Sequence, residues 1–251
     1  MRREPVPSPG VRVERVGSVV RLVGPENCVV YSELTEENAR SAVAAQADHF
    51  RSIGADVEWK VFGHDTPRDL ESILASAGFV PDEAETLVAF DLLNGTPGAE
   101  PASEVSVTRL TDPDQLAVAI AVNNAAFERD DPQAARRFAS ALQDPAQMLF
   151  LAFAGTTPVA TGRLELTPGR SFAGLWGGGT LPEYRRRGVY RALVAHRAAV
   201  ARERGYRFLT VDARETSRPI LERLGFVPLT TTRGWVLHPE RSSADSARNT
   251  E

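Results

Sequence analysis

Residues 177–193 read Gly177-Gly178-Gly179-Thr180-Leu181-Pro182-Glu183-Tyr184-Arg185-Arg186-Arg187-Gly188-Val189-Tyr190-Arg191-Ala192-Leu193. A β-rich run over 172–180 ends in glycines, an arginine-rich turn follows, and the turn opens into an amphipathic helix. The first turn of a helix exposes N–H groups with no intrahelical acceptor, and the helix dipole adds partial positive charge there. A glycine in such a turn lets the main chain approach a ligand closely, and the arginines add full charge. The product is an anion cradle suited to phosphate. By composition alone the same arginines are a solvated helix start; the strand–turn–helix setting favours the ligand reading.

Outward from this turn, the second half of the chain alternates strands and helices. Strands are expected at 105–110, 147–153, 159–166, 172–180, 208–211 and 227–237. Helices are expected from the Thr111-Asp112-Pro113 cap to about Phe127, from Asp131-Pro132 to about Asp144, over 189–204, and over 217–224. Caps, first-turn prolines and stop glycines set these bounds. The order from residue 105 is β-α-α-β-β-β-α-β-α-β, and a parallel pair should flank the arginine turn, where open α/β sheets bind ligands.

The first half reads as one or two strands over 11–23, a strand through Tyr31, a helix capped by Thr35 and running to about Ser52, and a strand at 57–62. A helix opened by Thr66-Pro67 and stopped at Gly78 follows, then a strand at 86–92. The segment 94–103 is rich in Gly and Pro without apolar periodicity, which makes it the best domain boundary. The division expected is a disordered arm over 1–10, a first domain over 11–93, a linker over 94–103, a second domain over 104–239 and a disordered tail over 240–251. Gly78-Phe79-Val80-Pro81 recurs as Gly225-Phe226-Val227-Pro228, each after a short helix, and the shared order of elements points to duplication. Two unrelated glycine stops would look the same in sequence.

The 251 residues are 42% hydrophobic and 25% charged, ordinary for a globular protein with a sizeable core. A net charge of −4 gives no overall electrostatic case for nucleic acid or an anionic membrane. Charge is uneven, however: eight arginines stand against Glu183 and Glu203 between Leu181 and Arg207. Cys28 is the only cysteine, so no intrachain disulfide or cysteine-rich metal site forms. His49, His64, His196 and His238 are scattered without metal spacing. No apolar run approaches the ~18 residues of a membrane span, and the N-terminus has no apolar core of a signal peptide. A cytoplasmic location is expected. Phosphate-loop, dinucleotide and hydrolase-elbow spacings are absent.

The pattern Arg185-x-x-Gly188-x-Tyr190 at a strand-to-helix turn resembles the acyl-CoA signature of the GNAT N-acetyltransferase superfamily, Gln/Arg-x-x-Gly-x-Gly/Ala, departing from it at Tyr190. The element order from residue 105 also resembles that family's, over about 135 residues. The resemblance implies a mixed central sheet flanked by helices, in two related α/β domains, with the first a degenerate copy lacking the arginine turn. It implies acetyl-CoA as cosubstrate, held by main-chain N–H groups from Arg186 through Val189 to Tyr190, with charge from Arg185, Arg186 and Arg187 and the close approach at Gly188. Thr180 and Leu181 would pair with the pantetheine amides by strand addition. The glycine run would bulge its strand and splay it from the strand at Phe208.

Transfer to an amine of a small molecule or peptide would then go by direct attack, with an oxyanion held by backbone N–H groups. The family's frequent acid, a tyrosine before the second Gly-Phe, is matched by Leu221, and its loop asparagine by Arg214 and neighbours. Glu165 and Asp212 remain as candidate bases. Phe127 to Asp131, Trp176 and Trp235 are expected to wall the cleft. The other reading is an acyl-CoA-binding or scaffolding protein without turnover. Partners expected are acetyl-CoA and an amine, with no nucleic acid and no membrane, in a monomer or homodimer.

Overall fold

The computed structural model describes residues 2–98 and 104–239. Met1, the linker residues 99–103 and the expected tail from 240 lie outside the described residues. In chain order the elements are β1 (Arg12–Val16), β2 (Val19–Val23), β3 (Cys28–Ser32), α1 (Ala39–Ser52), β4 (Val57–Phe62), α2 (Leu70–Ser76), β5 (Val80–Pro81) and β6 (Glu85–Asp91). After the linker come β7 (Val105–Leu110), α3 (Leu116–Ala126), α4 (Ala134–Gln143), β8 (Gln147–Ala154), β9 (Thr157–Glu165) and β10 (Phe172–Thr180). The chain closes with α5 (Val189–Glu203), β11 (Phe208–Ala213), α6 (Arg218–Arg223) and β12 (Val227–Leu237).

Contacts divide the described residues into two compact units: residues 2–85 with 230–239, and residues 86–98 with 104–229. The division does not follow the linker. In the first unit the strand order is β1-β2-β3-β4-β12, with β5 on β12; in the second it is β6-β11-β10-β9-β8-β7. The last strand of each half is thus exchanged. β6, which precedes the linker, runs antiparallel to β11, while β12 runs antiparallel to β4 from Thr232↔Phe62 to Leu237↔Val57. Strict alternation explains why β6 is at home there: it buries Thr86, Val88 and Phe90, and the last two join the core of the second unit.

That core lies on both faces of its sheet. Met148, Phe150, Leu164, Leu175 and Leu209 pack under α5 through Val189, Leu193, Val194 and Ala198. On the other face Leu149 and Leu151 meet Leu110, Ala119 and Ala141 beneath α3 and α4. β8 is therefore apolar on both sides, as a central strand must be. Caps are where the sequence places them: the Asp112 and Asp131 carboxylates accept from the N–H groups of Asp114 and Gln133.

The first unit has its own core, centred on Val43, Phe50, Trp59, Leu74 and Trp235. Its helices start later than expected. The Asn38 side chain accepts from the Thr35 N–H, and α1 begins at Ala39. Thr66 Oγ1 donates to the Leu34 carbonyl instead of capping, and α2 begins at Leu70.

Both units contain a strand–helix–strand crossover with a short parallel ladder. β3 and β4 pair only at Cys28↔Glu58 and Val29↔Trp59; β10 and β11 pair from Phe172↔Phe208 to Gly174↔Thr210. Where the β3–β4 ladder stops, Arg2 bridges the two strands. Its Nε donates to the Val30 carbonyl at 2.8 Å and its Nη2 to the Lys60 carbonyl at 3.4 Å. The guanidinium also forks onto Asp65 at 2.8 and 2.7 Å and lies 3.6 Å from the Phe62 ring centroid. Residues 2–10 carry no helix or strand, yet Arg2 is held at five points. Arg2→Ala leaves the buried Asp65 and two carbonyls short of a charged donor; it should lower the stability of this unit by about 2 kcal/mol in urea denaturation.

Candidate active site

The site begins where β10 leaves its neighbours. The ladder to β11 ends at Gly174, and the register with β9 breaks between Trp176 and Gly179. Beyond Gly174, β10 continues without β11 to Thr180, so the two parallel strands part there. The bulge and the splay expected of the glycine run are both present.

One buried side chain holds the bulge. Arg197, on the inner face of α5, is 1% exposed. Its Nε donates to the Leu193 carbonyl at 3.1 Å, and its Nη1 to the carbonyls of Arg163 at 3.1 Å and Trp176 at 3.4 Å. Arg163 and Trp176 are the last regular pair before the register breaks. Burial lowers the guanidinium to about 10 while Tyr190 draws it back up, so it is charged at neutral pH. Room for it comes from missing side chains: a Cβ on Gly162 would sit 2.9 Å from the guanidinium carbon, and one on Gly178 would sit 3.2 Å from Nη2. Tyr190 closes over the same point, 3.0 Å from where a Gly178 Cβ would be. Its phenol is raised by burial, against the charge of Arg197, and stays protonated. On the opposite face Gly179 takes the Phe127 ring, 2.8 Å from its would-be Cβ.

After Thr180 a 3₁₀ turn over Pro182–Tyr184 leads to the arginines. Arg186 is left-handed at φ 62° and Gly188, the N-cap of α5, at φ 81°. Left-handed backbone at an N-cap suits glycine, and the first intrahelical bond there runs from the Ala192 N–H to the Gly188 carbonyl. The N–H groups of Val189, Tyr190 and Arg191 thus precede the helical ladder.

The three arginines do different things. Arg185 turns back toward the end of α3, donating to the Ala126 carbonyl at 2.9 Å and the Thr180 carbonyl at 3.3 Å and pairing with Glu128. It clasps the turn to α3. Arg187 stacks over Tyr184, 5.3 Å from the centroid, and Arg186 and Arg187 are exposed. The Leu181 N–H already donates to the Val159 carbonyl at 2.9 Å, whereas the buried Thr180 hydroxyl has no partner among the described residues.

On the α3–α4 face, Trp176 pairs with Arg163, Gly174 with Glu165, and Thr210 with Gly174. Alternation puts Trp176, Arg163, Glu165 and Asp212 on that one face. Glu165 accepts from the Thr167 hydroxyl at 3.2 Å. A cavity of about 190 Å³ opens on this face, lined in part by Asn123, Phe127, Trp176 and Gly177. Trp235 is elsewhere: it is buried in the core of the first unit. Leu221 is fully buried among apolar neighbours, so nothing at that position can donate a proton. Cys28 lies in the first unit, its thiol pushed up by burial. Among the described residues no cluster of His, Cys, Asp and Glu could hold a metal ion, and no helix is long and apolar enough to cross a membrane.

A parallel pair that splays beside a glycine-led helix N-terminus, with helices on both faces of a mixed sheet, defines the architecture of the GCN5-related N-acetyltransferases. Residues 115–226 match the family model "Acetyltransferase (GNAT) family", which marks a GNAT acetyltransferase domain in the second unit. The fold is similar to a GCN5-related N-acetyltransferase from Kribbella flavida, at TM-score 0.70 and 18% identity, over 94% of this chain and 93% of that one. It is similar also to a tandem GNAT protein from the clavulanic acid biosynthesis pathway, at TM-score 0.62 and 16% identity, over 95% and 86%. A third, a GCN5-related N-acetyltransferase from Sphaerobacter thermophilus, aligns at TM-score 0.62 and 16% identity, over 91% and 83%. No match was found among curated proteins.

Sequence reasoning missed Arg197, which it counted within a basic island. The signal was available: Arg197 falls on the apolar stripe of α5 with Leu193, Val194 and Ala201. Arg197→Met keeps the bulk but leaves the Arg163 and Trp176 carbonyls without their donor. It should cost about 3 kcal/mol in urea denaturation, at the upper end for a buried polar group left unsatisfied.

Proposed function

We propose that the second unit binds acetyl-CoA and moves its acetyl group to an amine of a small molecule or peptide by direct attack. The observation that carries this reading is the parting of β10 from β11 after Gly174, beside a helix led by left-handed Gly188. An extended thioester arm fits between strands that have parted, and its pyrophosphate fits the N–H groups from Arg186 to Tyr190. Arg186 and Arg187, exposed at the turn, supply charge to the phosphates; Arg185, committed to Ala126 and Glu128, supports the turn from behind. Because the Leu181 N–H is already bonded, strand addition to the pantetheine draws on other main-chain groups of β10, including those of the bulge.

The acceptor enters from the face of Trp176. Acetyl transfer needs a neutral amine, donors for the oxyanion and a proton for the leaving thiolate. Glu165 and Asp212 share that face and are the candidates to accept the amine proton, directly or through water. Cys28, the only cysteine, belongs to the first unit, which speaks for a reaction without a covalent enzyme intermediate. Leu221 is the one observation on the side of acyl-CoA binding without turnover, and a broad amine screen decides between the two.

The first unit reads as a degenerate copy. Helix ends support this: Phe79 N–H reaches back to the Leu74 carbonyl and Phe226 N–H to that of Leu221, both at the Gly-Phe-Val-Pro repeat. Its crossover turn carries Glu36 and Glu37 where the second unit has arginines, and Arg2 fills the end of its parallel ladder. We place the protein in the cytoplasm, as a monomer or homodimer.

Calorimetric titration with acetyl-CoA should show one site per chain; two sites would overturn the degenerate reading, and none would overturn the cofactor reading. Gly188→Asp should abolish this binding while the far-ultraviolet circular dichroism of the chain is kept. The strain of a non-glycine residue at positive φ costs only roughly 1–2 kcal/mol, whereas the carboxylate repels phosphate.

A further inference from the structure

The cavity on the α3–α4 face has a composition that an amine-binding site does not call for. Three guanidinium groups line it, from Arg129, Arg137 and Arg163, and three aromatic rings wall it, from Phe127, Phe138 and Trp176. No carboxylate is among its lining residues. Asp131 is shared by two of the arginines: it pairs with Arg137 and, at 3.6 Å, with Arg129. Burial pushes its carboxyl up, but the hydrogen bonds from Arg137 and the Gln133 N–H, with the charges of Arg137 and Arg129, hold it below the ordinary range. Asp131 is therefore ionised at neutral pH, and the lining itself presents guanidinium groups and no carboxylate.

Resting on the acetyltransfer reading above, we propose that the acceptor is a small amine that also carries a carboxylate, and that the arginines of this cavity bind that carboxylate. Planar guanidinium forks match carboxylates in geometry as well as charge, and amines do not pair with them at all. The volume sets the size. At about 190 Å³ the cavity is smaller than the ~300–1,000 Å³ of typical drug-sized sites, which fits a single amino acid and not a folded protein surface. The rings of Phe127, Phe138 and Trp176 then cover the apolar body of the acceptor while its anion faces the arginines.

Trp176 reports on the site without any need for turnover. The other two tryptophans, Trp59 and Trp235, are buried in the first unit. Tryptophan emission should be titrated in the presence of saturating free CoA with L-phenylalanine and L-leucine, and in parallel with their decarboxylated counterparts phenethylamine and isoamylamine. The amino acids should give a saturable change that Trp176→Phe removes, and the amines should not. Arg129→Gln, on a half-exposed side chain, and Arg163→Gln should each weaken the amino acids about tenfold, as loss of one charge-assisted hydrogen bond implies; circular dichroism confirms that each variant is folded. Amines that bind as well as the amino acids, or no response to any of the four while CoA itself binds, would overturn the proposal and leave the cofactor reading standing. Binding of the amino acids without binding of CoA would do the reverse.

Discussion

A buried charge organises the second unit. Taking a guanidinium out of water is costly, and hydrogen bonds to the charged group offset the cost. Arg197 meets it with three carbonyls, from Leu193 on its own helix and from Arg163 and Trp176 on the two strands that separate. The arrangement is self-consistent in a narrow way. Regular pairing beyond Trp176 would leave no room for the guanidinium, and side chains at positions 162 and 178 would fill its space. So α5, the bulge and the glycines of β9 and β10 form one object. The parting of β10 from β11 is downstream of it, and so is the placement of Gly188 at the mouth of the gap, because Arg197 locks the helix that Gly188 begins.

The first unit shows the same crossover without this device. Its parallel ladder is two rungs long, and its helix, like α5, ends at a left-handed glycine whose following N–H reaches back five residues. That cap alone says little, since many helices end so. More telling is what lies at the end of the ladder. There Arg2 donates to the carbonyls of both Val30 and Lys60. In each unit, then, an arginine satisfies strand carbonyls next to a short parallel ladder. In the second it acts from inside, under the sheet; in the first it comes from the segment before β1. Glu36 and Glu37 stand at the adjacent turn of that unit, where the other carries Arg186 and Arg187.

Much of this was legible in the residues, because it depends on neighbours in sequence. β4, β7, β10 and β12 begin and end where alternation and turn residues put them, and the caps at Asp112 and Asp131 act within two positions. Where reading failed, the deciding partner was distant. Thr66 looks like a cap, but Leu34 offers its hydroxyl a better acceptor. Arg185 likewise has distant partners that the sequence does not announce, the Ala126 carbonyl and Glu128 at the end of α3. The exchange of β6 and β12 has no local signal at all: an antiparallel edge accepts any strand of suitable alternation, and the linker hides which one arrives. Trp235 was misplaced for the same reason, since it travels with β12 into the first core.

The absence of a phenol at Leu221 looks like a defect only if the enzyme must supply strong acid–base groups. On the acetyltransfer reading the arginines of the acceptor cavity change that requirement. An ammonium brought near guanidinium groups is disfavoured in its charged form, so its pKa falls toward neutrality. Its anion, held by the same groups, keeps it there in spite of the repulsion. Binding then does part of the deprotonation, and a weakly basic carboxylate such as Glu165 or Asp212, or water, suffices to carry the proton away. The thiolate is left with less help than in a site with a tyrosine, which makes leaving-group protonation, not attack, the step such a site would find hardest.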